Sequence, residues 1–326
     1  MFKSAIIGCG RIAGGYDPSI PLEWSATHAG AYHLCPDTKL IAVADPNPEA
    51  LKAFQQKWGI DRGYFDYREM LEKENPDIVS LCLPTEHHYK AFEAVTERNI
   101  KAIFCEKPLS YDLGEAKSIV EMGRDRIVAV NYFRRWNPTL ISLAQGIKKK
   151  DFGKVVSVTV RYTKGLFVNG SHLVDLMRWF FGEPRHINTF RIASDDILDS
   201  GIDFSLQFDD GVTIYYINIP EPPYVFIDVD ILAERGRIVI GQRGQKLTRY
   251  PVIREPHYDL FDIIGNCREQ ETEWRNCVTR AVQEIAGCLK YGGKTSCTLM
   301  DGFRAIEICQ QVFAGTDKSV PQVQSG

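Results

Sequence analysis

Apolar and polar positions follow two different patterns along this chain, and the change falls near residue 150. In the first 125 residues, short and almost continuously apolar segments alternate with segments whose apolar positions recur at helical spacing. This alternation is typical of an α/β fold, a doubly wound parallel sheet with helices on both faces. The predicted strands are 4–7, 39–44, 77–83, 100–105 and 127–131, and the predicted helices are 49–59, 88–99 and 112–123.

After residue 150, apolar and polar positions alternate singly, as they do in half-buried strands, with turn signals at Asp210-Gly211 and Arg235-Gly236. We therefore expect a C-terminal α+β domain with a mostly antiparallel open sheet and helices on one face. The expected boundaries are 1–125 for the first domain, 126–150 for a crossover and 151–326 for the second domain, whose last helix could pack back on the first. The predicted strands are 154–163, 203–208, 212–219, 225–233 and 237–240, and the predicted helices are 172–181, 271–291 and 300–314.

The composition is that of an ordinary globular protein of 326 residues, 44% of them hydrophobic and 25% charged. A formal net charge of −3 creates no field that would attract nucleic acid or a membrane surface. The nine cysteines include no Cys-x-x-Cys pair, so we expect reduced thiols and a cytoplasmic protein. Because a strand is predicted at the N-terminus, we expect no signal peptide, and no apolar segment approaches the length of a membrane span.

Residues 8–13 form the pattern G-x-G-x-x-A directly after the first predicted strand and at the predicted start of a helix. Gly8 permits a tight turn, and Gly10 lets the backbone approach a pyrophosphate. The small Ala13 allows close packing of helix and strand, and the helix N-terminus offers donors to the phosphates. The pattern predicts a Rossmann-type dinucleotide site, with Arg11 and Ile12 also contacting the cofactor.

Asp45 ends the second predicted strand, where a carboxylate can accept hydrogen bonds from an adenosine ribose and repel a 2′-phosphate. No arginine or serine follows Pro46 and Asn47 directly, which favours NAD over NADP as the cofactor. The alternative is that Asp45 only caps a turn before proline. The spacing between glycines and acid is long because 16–25 is an insertion, either a lid over the cofactor or a surface loop.

Glu106-Lys107-Pro108 follows the apolar run 103–105. Ligands of open α/β sheets bind beyond the carboxyl ends of the strands, and Lys107 is expected there. Pro108 has no backbone donor and ends the strand. The same tripeptide could also be an ordinary strand exit, so its neighbours along the chain decide between the two readings.

Together, five motifs in this order and spacing make nearly the whole chain resemble the glucose-fructose oxidoreductase / inositol dehydrogenase (Gfo/Idh/MocA) family. They are Gly8-Cys9-Gly10-Arg11-Ile12-Ala13, Pro84-Thr85-Glu86-His87-His88, Glu106-Lys107-Pro108, Arg135-Trp136-Asn137-Pro138 and Gly170-Ser171-His172-Leu173-Val174-Asp175.

The resemblance implies oxidation or reduction of a sugar, cyclitol or sugar nucleotide with NAD(P), and a second-domain sheet that often serves as an oligomer face. Lys107 would lie beside both nicotinamide and substrate, with Glu106 fixing its ammonium. His172 would exchange a proton with the reacting hydroxyl, which suits a side chain whose pKa is near neutrality. The cofactor would be lined by Pro84, Thr85 and His88. The alternative for His172 is a structural position at a helix start, with Ser171 as the cap.

The chain departs from the family where an acid commonly stands four residues before the histidine, because that position is Val168. Neighbouring Asn169 could orient a substrate hydroxyl but cannot act as a base. Arg161 and Lys164 could bind an anionic substrate group, or could be solvated side chains at a strand end. Arg135, in the fourth motif, is a further candidate substrate contact.

Together with the resemblance, these residues predict an NAD-dependent oxidoreductase acting on a carbohydrate-derived alcohol or ketone, and the resemblance alone implies a sugar nucleotide or amino-sugar intermediate as the leading substrate class. The alternative is a non-catalytic NAD- or sugar-binding regulator on the same fold, which the loss of the acid at Val168 would suit. We expect a homodimer or homotetramer, and no nucleic-acid or membrane partner. We also expect no metal, since His87 and His88 are adjacent and cannot chelate as residues one helical turn apart do.

Overall fold

The computed structural model describes residues 1–18, 22–192, 201–220, 224–258, 260–315 and 318–319. Their strands, in chain order, are β1 Phe2–Ile7, β2 Thr38–Ala44, β3 Arg62–Tyr64, β4 Ile78–Leu81, β5 Ala102–Cys105, β6 Ile127–Val130, β7 Val155–Tyr162, β8 His186–Ile192, β9 Ile202–Gln207, β10 Thr213–Asn218, β11 Ile227–Ala233, β12 Gly236–Gly241, β13 Lys246–Arg254, β14 Asp262–Ile264, β15 Arg268–Glu271 and β16 Lys318–Ser319. Their α-helices are α1 His28–Leu34, α2 Pro48–Trp58, α3 Tyr67–Glu74, α4 His88–Thr96, α5 Leu113–Met122, α6 Pro138–Lys148, α7 Ser171–Phe181, α8 Cys277–Tyr291 and α9 Leu299–Phe313. Among the described residues, no helix has both the length and the apolar character that a membrane crossing requires.

The chain divides into two compact units. Unit 1 comprises Met1–Trp136 and Arg275–Arg304, and unit 2 comprises the described residues of Asn137–Trp274 and of the chain from Ala305 onward. A continuous boundary near residue 150, as predicted, leaves all of α8 in the second domain, whereas its contacts place it in unit 1.

Unit 1 is built on a six-stranded parallel sheet with the order β3-β2-β1-β4-β5-β6. The central strands are apolar on both faces because helices cover both sides, as in β4 and β5, where every residue is buried. The strand order reverses between β1 and β4, and the carboxyl ends of strands at such a reversal form the ligand crevice of open α/β sheets. This confirms the predicted doubly wound Rossmann-type sheet.

The helix predicted to open at the glycine turn is short. Arg11–Gly15 forms only one π-helical turn, and the α-helix that packs near β1 and β2 begins at His28. Between them lies the predicted insertion, whose first buried residue, Asp17, accepts hydrogen bonds from the hydroxyls of Ser25 and Thr27 at 2.5 and 2.6 Å. The insertion is therefore fastened at its base to the start of α1.

Residues 275–304 return to unit 1 through hydrogen bonds as well as apolar packing. Glu284, on α8, accepts hydrogen bonds from Trp136 Nε1 at 2.8 Å and from Ser296 N and Oγ at 2.7 and 2.5 Å. Val130 N donates to Cys297 O at 3.0 Å at the end of β6. The buried Trp136 is thus tied to a helix that lies 148 residues later in the sequence.

Unit 2 carries a ten-stranded sheet with the order β14-β13-β12-β11-β7-β10-β9-β8-β16, and β15 pairs with β13. Only β10 and β7 pair in parallel, so the prediction of a mostly antiparallel sheet is confirmed. α7 packs on one face, where Phe204 and Tyr216 stack with ring centroids 4.2 Å apart. The other face leaves Tyr215 and Ile217 more than two-fifths exposed.

Two helices, α8 and α6, differ from the sequence prediction for local reasons. The helix predicted from residue 271 begins at Cys277, because Arg268–Glu271 pairs as an exposed edge strand that no apolar pattern marks. Helix α6 lies in the predicted crossover, where the Asn137 side chain caps the backbone N–H groups of Thr139 and Leu140 and Pro138 stands at the first helical position.

The Glu284 contacts predict a specific loss of stability. Glu284→Ala leaves the indole N–H of the buried Trp136 without its acceptor, and we expect a loss of about 1–3 kcal/mol in the free energy of unfolding. The matched control is Gln283→Ala, one residue away on the exposed face of α8, which should change stability little. Equal losses in chemical denaturation of the two variants would contradict this role of Glu284.

Candidate active site

In unit 1, the residues predicted to bind the cofactor follow four strands at the same edge of the sheet. Gly8 follows β1, Asp45 follows β2, Pro84 comes after β4, and Glu106-Lys107 follows β5 directly. Because all these strands are parallel, their carboxyl ends lie side by side, and the fold brings these four segments together.

The glycine turn has the geometry that the sequence pattern requires. Gly8 has a φ of +98°, and a Cβ atom there would lie 2.5 Å from the carbonyl oxygen of Cys82. Gly10 is extended, and a Cβ atom at that residue would meet nothing within 4 Å. The first glycine is needed by the protein itself, whereas the second leaves open space where a pyrophosphate could approach. Arg11 is exposed and Ile12 half-buried beside this space.

Asp45 contacts the glycine turn directly. Its Oδ2 accepts from the backbone N–H of Cys9 at 2.7 Å, and its Oδ1 accepts from Asn47 N at 2.8 Å. The second bond is that of a turn-capping acid, and the first links the carboxylate to the turn. Each oxygen retains a further acceptor site, so the carboxylate can also receive ribose hydroxyls. Burial and the charge of Asp45 raise the pKa of the Cys9 thiol to about 12, so this cysteine is not a thiolate.

The Glu106 carboxylate, 8% exposed, lies at the centre of a buried hydrogen-bond network next to Lys107. Its Oε1 lies 3.0 Å from His28 Nε2 and accepts from Asn131 Nδ2 at 2.6 Å, and its Oε2 accepts from Lys107 N at 3.3 Å. Burial raises the pKa of Glu106, but His28, Asn131 and the charge of Lys107 outweigh it and hold this pKa below its usual value. Lys107 itself is half-buried beside this anionic group.

The segment after β4 divides into exposed and buried parts. Pro84 is exposed and precedes a 3₁₀ turn that begins at the nearly buried Thr85. His88 is fully buried, with Nδ1 2.9 Å from Pro108 O and Nε2 3.1 Å from Leu83 O. Burial lowers the pKa of His88. The neutral ring carries one hydrogen, so His88 donates to one of these two carbonyl groups and contacts the other, and its ring lies between two backbone segments of the site.

Arg135, predicted as a substrate contact, has protein partners in the structure. Its side chain is 7% exposed, and its guanidinium donates to Ser296 O at 3.1 Å and pairs with Asp301 at 2.9 Å. These partners belong to the segment that returns to unit 1, so Arg135 holds that segment in place.

Unit 2 contains the other candidates. Arg161 pairs with Asp228 across β7 and β11 at 2.6 Å, on a half-buried patch where burial, against the opposing effect of Arg161, raises the pKa of the aspartate. That guanidinium already has an anionic partner. Lys164 is exposed and adopts a left-handed φ of +63° in the loop that leads to α7. Asn169 is half-buried, and its amide donates to Thr163 O at 2.8 Å.

His172 is the second residue of α7 and is half-buried. Ser171 does not cap this helix, because its hydroxyl donates backwards to Phe167 O at 2.9 Å and the cap position is Gly170. Asp175, one turn later, is buried with Arg178 at 3.8 Å, in a packing position. Val168 stands in the π-helical turn before α7 and offers no side-chain acceptor.

Sequence reasoning missed the residues behind Glu106. His28, Ser80 and Asn131 come from α1, β4 and the end of β6, so their contacts join positions 25 to 78 residues apart. No local spacing could show these contacts. The one available signal was that His28 and Ser80 are polar residues at positions where buried residues are usually apolar. Among the described residues, no group of three or more His, Cys, Asp or Glu could hold a metal ion.

Comparison with known proteins finds NAD-binding oxidoreductases among the relatives of this chain. Residues 2–132 match the model of an oxidoreductase family with an NAD-binding Rossmann fold. Myo-inositol 2-dehydrogenase of Thermotoga maritima is 27% identical over 56% of this chain and 55% of that protein, so the match spans about half of its length. Scyllo-inositol 2-dehydrogenase (NAD(+)) of Bacillus subtilis is 25% identical over 94% of this chain and 91% of that protein.

Solved structures show the same fold at low identity. The WlbA dehydrogenase from Bordetella pertussis, in complex with NADH and UDP-GlcNAcA, has a TM-score of 0.78 and 19% identity, with coverage of 99% of this chain and 98% of that chain. At this identity, the likeness concerns the fold alone.

The two glycines of the turn predict different consequences for the same substitution. Gly8→Ala should lower the free energy of unfolding by at least about 1–2 kcal/mol, because of its positive φ and the approach to Cys82 O. Gly10→Ala should fold normally, since its Cβ meets nothing, but should bind NADH more weakly because the methyl group fills the open space. Thermal unfolding and NADH fluorescence titration of both variants test this; a Gly10→Ala protein with unchanged affinity would contradict the placement of the pyrophosphate.

Proposed function

We propose that this chain, as a member of the Gfo/Idh/MocA family of oxidoreductases, oxidises or reduces a secondary alcohol or ketone of a sugar, cyclitol or sugar nucleotide with NAD. When bound, NAD accepts or returns the hydride. The observation that carries the proposal is the shared sheet edge of unit 1, where the open turn at Gly10, the Asp45 carboxylate and Lys107 follow parallel strands.

We assign to Lys107 the stabilisation of negative charge on the substrate oxygen as the carbonyl forms or is reduced. A lysine beside a fixed carboxylate is well suited to this role, because its charge lowers the pKa of Glu106 and its backbone N–H donates to the same carboxylate, which limits where the residue can lie. His88 and Asn131 hold the backbone and carboxylate around it and are positioning residues.

We assign the proton exchange with the reacting hydroxyl to His172, as the resemblance implies. With Val168 in place of the usual acid, this histidine has no carboxylate four residues before it. Asn169 supports the site in another way: its amide group is held by Thr163 O, which leaves its carbonyl oxygen to accept from a substrate hydroxyl. We therefore propose His172 as the base, without the support of an acid at position 168.

For the substrate we favour a sugar nucleotide or amino-sugar derivative, a class that WlbA of B. pertussis binds as UDP-GlcNAcA. The exposed Lys164 can contact an anionic group, whereas Arg161 is already paired with Asp228. We further propose a cytoplasmic homodimer or homotetramer, since one sheet face of unit 2 exposes Tyr215 and Ile217. Val168 suits the non-catalytic alternative, but the relatives are named dehydrogenases, so we do not adopt it.

Turnover and its dependence on Lys107 test the proposed activity. We expect NADH formation with at least one member of a panel of free sugars, cyclitols, uronates and nucleotide sugars. Lys107→Met should reduce kcat by about 10²-fold or more and retain NADH binding, because only charge stabilisation is lost. The control Lys101→Met removes an exposed lysine paired with Asp77 and should leave turnover unchanged. Tight NADH binding without turnover of any substrate, in either direction, would replace our proposal with the binding-only function.

Asp45 predicts the cofactor preference. We expect the protein to prefer NAD, and Asp45→Asn to reduce the ratio of kcat/KM for NAD to that for NADP on the order of tenfold, about 1.4 kcal/mol. Asp61→Asn makes the same change of charge at an exposed position at the start of β3 and should keep the ratio. If the unmodified protein bound NADPH more tightly than NADH, the ribose role of Asp45 would be wrong.

A further inference from the structure

His28 lies behind the proposed catalytic lysine in a fully buried position. It is the first residue of α1, and its ring packs on Phe104 of β5 with centroids 4.3 Å apart. Nε2 lies 3.0 Å from Glu106 Oε1, and Nδ1 lies 2.9 Å from Ser80 Oγ. Ser80 Oγ is in turn 2.7 Å from the hydroxyl of Tyr32, which is also buried. Four side chains thus form one continuous chain that ends on the Glu106 carboxylate.

The chemistry of these groups determines which group donates in each hydrogen bond of this chain of four side chains. A carboxylate with a lowered pKa only accepts hydrogen bonds, so the hydrogen between His28 and Glu106 belongs to Nε2. Nδ1 then accepts from the hydroxyl of Ser80, and Tyr32 donates to Ser80 Oγ. A second ring proton would add a positive charge in a fully buried position, which is costly.

These hydrogen bonds also fix the orientation of the Glu106 carboxylate plane relative to Lys107. Oε1 takes two donors, His28 Nε2 and Asn131 Nδ2, at 3.0 and 2.6 Å. The other oxygen, Oε2, is left to accept from the backbone N–H of Lys107. Without the donor from His28, Oε1 would keep only the donor from Asn131, and the plane of the carboxylate could turn away from Lys107 N.

We propose that His28, as the Nε2-protonated imidazole, is a positioning residue that fixes the rotation of Glu106 and, through it, the placement of Lys107. This inference rests on the proposed function for its kinetic consequence, but the tautomer is a property of the folded protein alone. His28 is held at this position by its own neighbours: Thr27 caps α1 by accepting from Gly30 N, and the Thr27 hydroxyl donates to Asp17 at 2.6 Å.

The tautomer is measured first, on the full-length protein labelled with ¹⁵N-histidine and saturated with NADH. The His28 signals are assigned by their loss in His28→Gln, and the one-bond and two-bond couplings identify the protonated nitrogen. We expect a hydrogen on Nε2 and none on Nδ1 at neutral pH. A hydrogen on Nδ1, in either the neutral or the doubly protonated ring, would overturn the proposal whatever the protein's activity.

Two variants then separate the two ring nitrogens. Glutamine places its amide nitrogen near the position of Nε2 and can still donate to Glu106, whereas asparagine reaches only as far as Nδ1. Both remove the ring from Phe104, so they share any loss of packing. We expect His28→Asn to lower kcat by about 10- to 100-fold and His28→Gln by only a few-fold, with the KM for NAD nearly constant in both.

A role in stability alone gives a different result. In that case both variants would lose thermal stability to a similar extent, and kcat per folded molecule would be equal to that of the unmodified protein. This outcome would overturn the positioning role. If the unmodified protein turned over no substrate, the proposed function would fail, and the NMR result would still decide the direction of the hydrogen-bond chain.

Discussion

The Glu106 carboxylate is the constraint on which the centre of unit 1 depends. Glu106 is only 8% exposed, and a buried carboxylate charge is stable only when it has partners. Each neighbouring element supplies one partner: His28 comes from α1, Asn131 from the end of β6, and Lys107 from the segment of Glu106 itself. Ser80 of β4 supports His28 from behind. The side chain that precedes the proposed catalytic lysine thus also joins three strands and one helix.

The cofactor end of the same sheet edge is organised by another carboxylate and by the backbone. Asp45 accepts from Cys9 in the glycine turn, and Gly8 lets that turn pass within contact distance of Cys82. Here the side chains are small or absent in the turn that we propose for the phosphates, and Asp45 lies where we propose that the ribose hydroxyls bind. One edge of the sheet therefore has an open glycine turn with Asp45 after β1 and β2, and a buried, charged segment with Glu106 and Lys107 after β5.

Much of this could be predicted from sequence because the signals are local. Apolar runs predicted the strands, and the motifs around Gly8 and Lys107 indicated the segments that form the two ends of the candidate site. Contacts between distant positions were not predictable: Arg135 resembled a substrate contact until its pairing with Asp301 was visible, and His28 meets Glu106 across 78 residues. Strand Arg268–Glu271 was missed because all four side chains are exposed and only backbone pairing with β13 makes it a strand.

The fastening of the insertion has a consequence for how this protein can change over time. Asp17 accepts from Ser25, Ala26 and Thr27, and Lys57 donates to Gly14 O and Asp17 O at 2.8 and 2.6 Å, so both ends of the segment are bound at its base. The entropy of closing a loop grows only slowly with its length. Residues could be added or removed between these ends, by natural variation or by grafting a foreign epitope, while α1 and the groups it carries keep their positions.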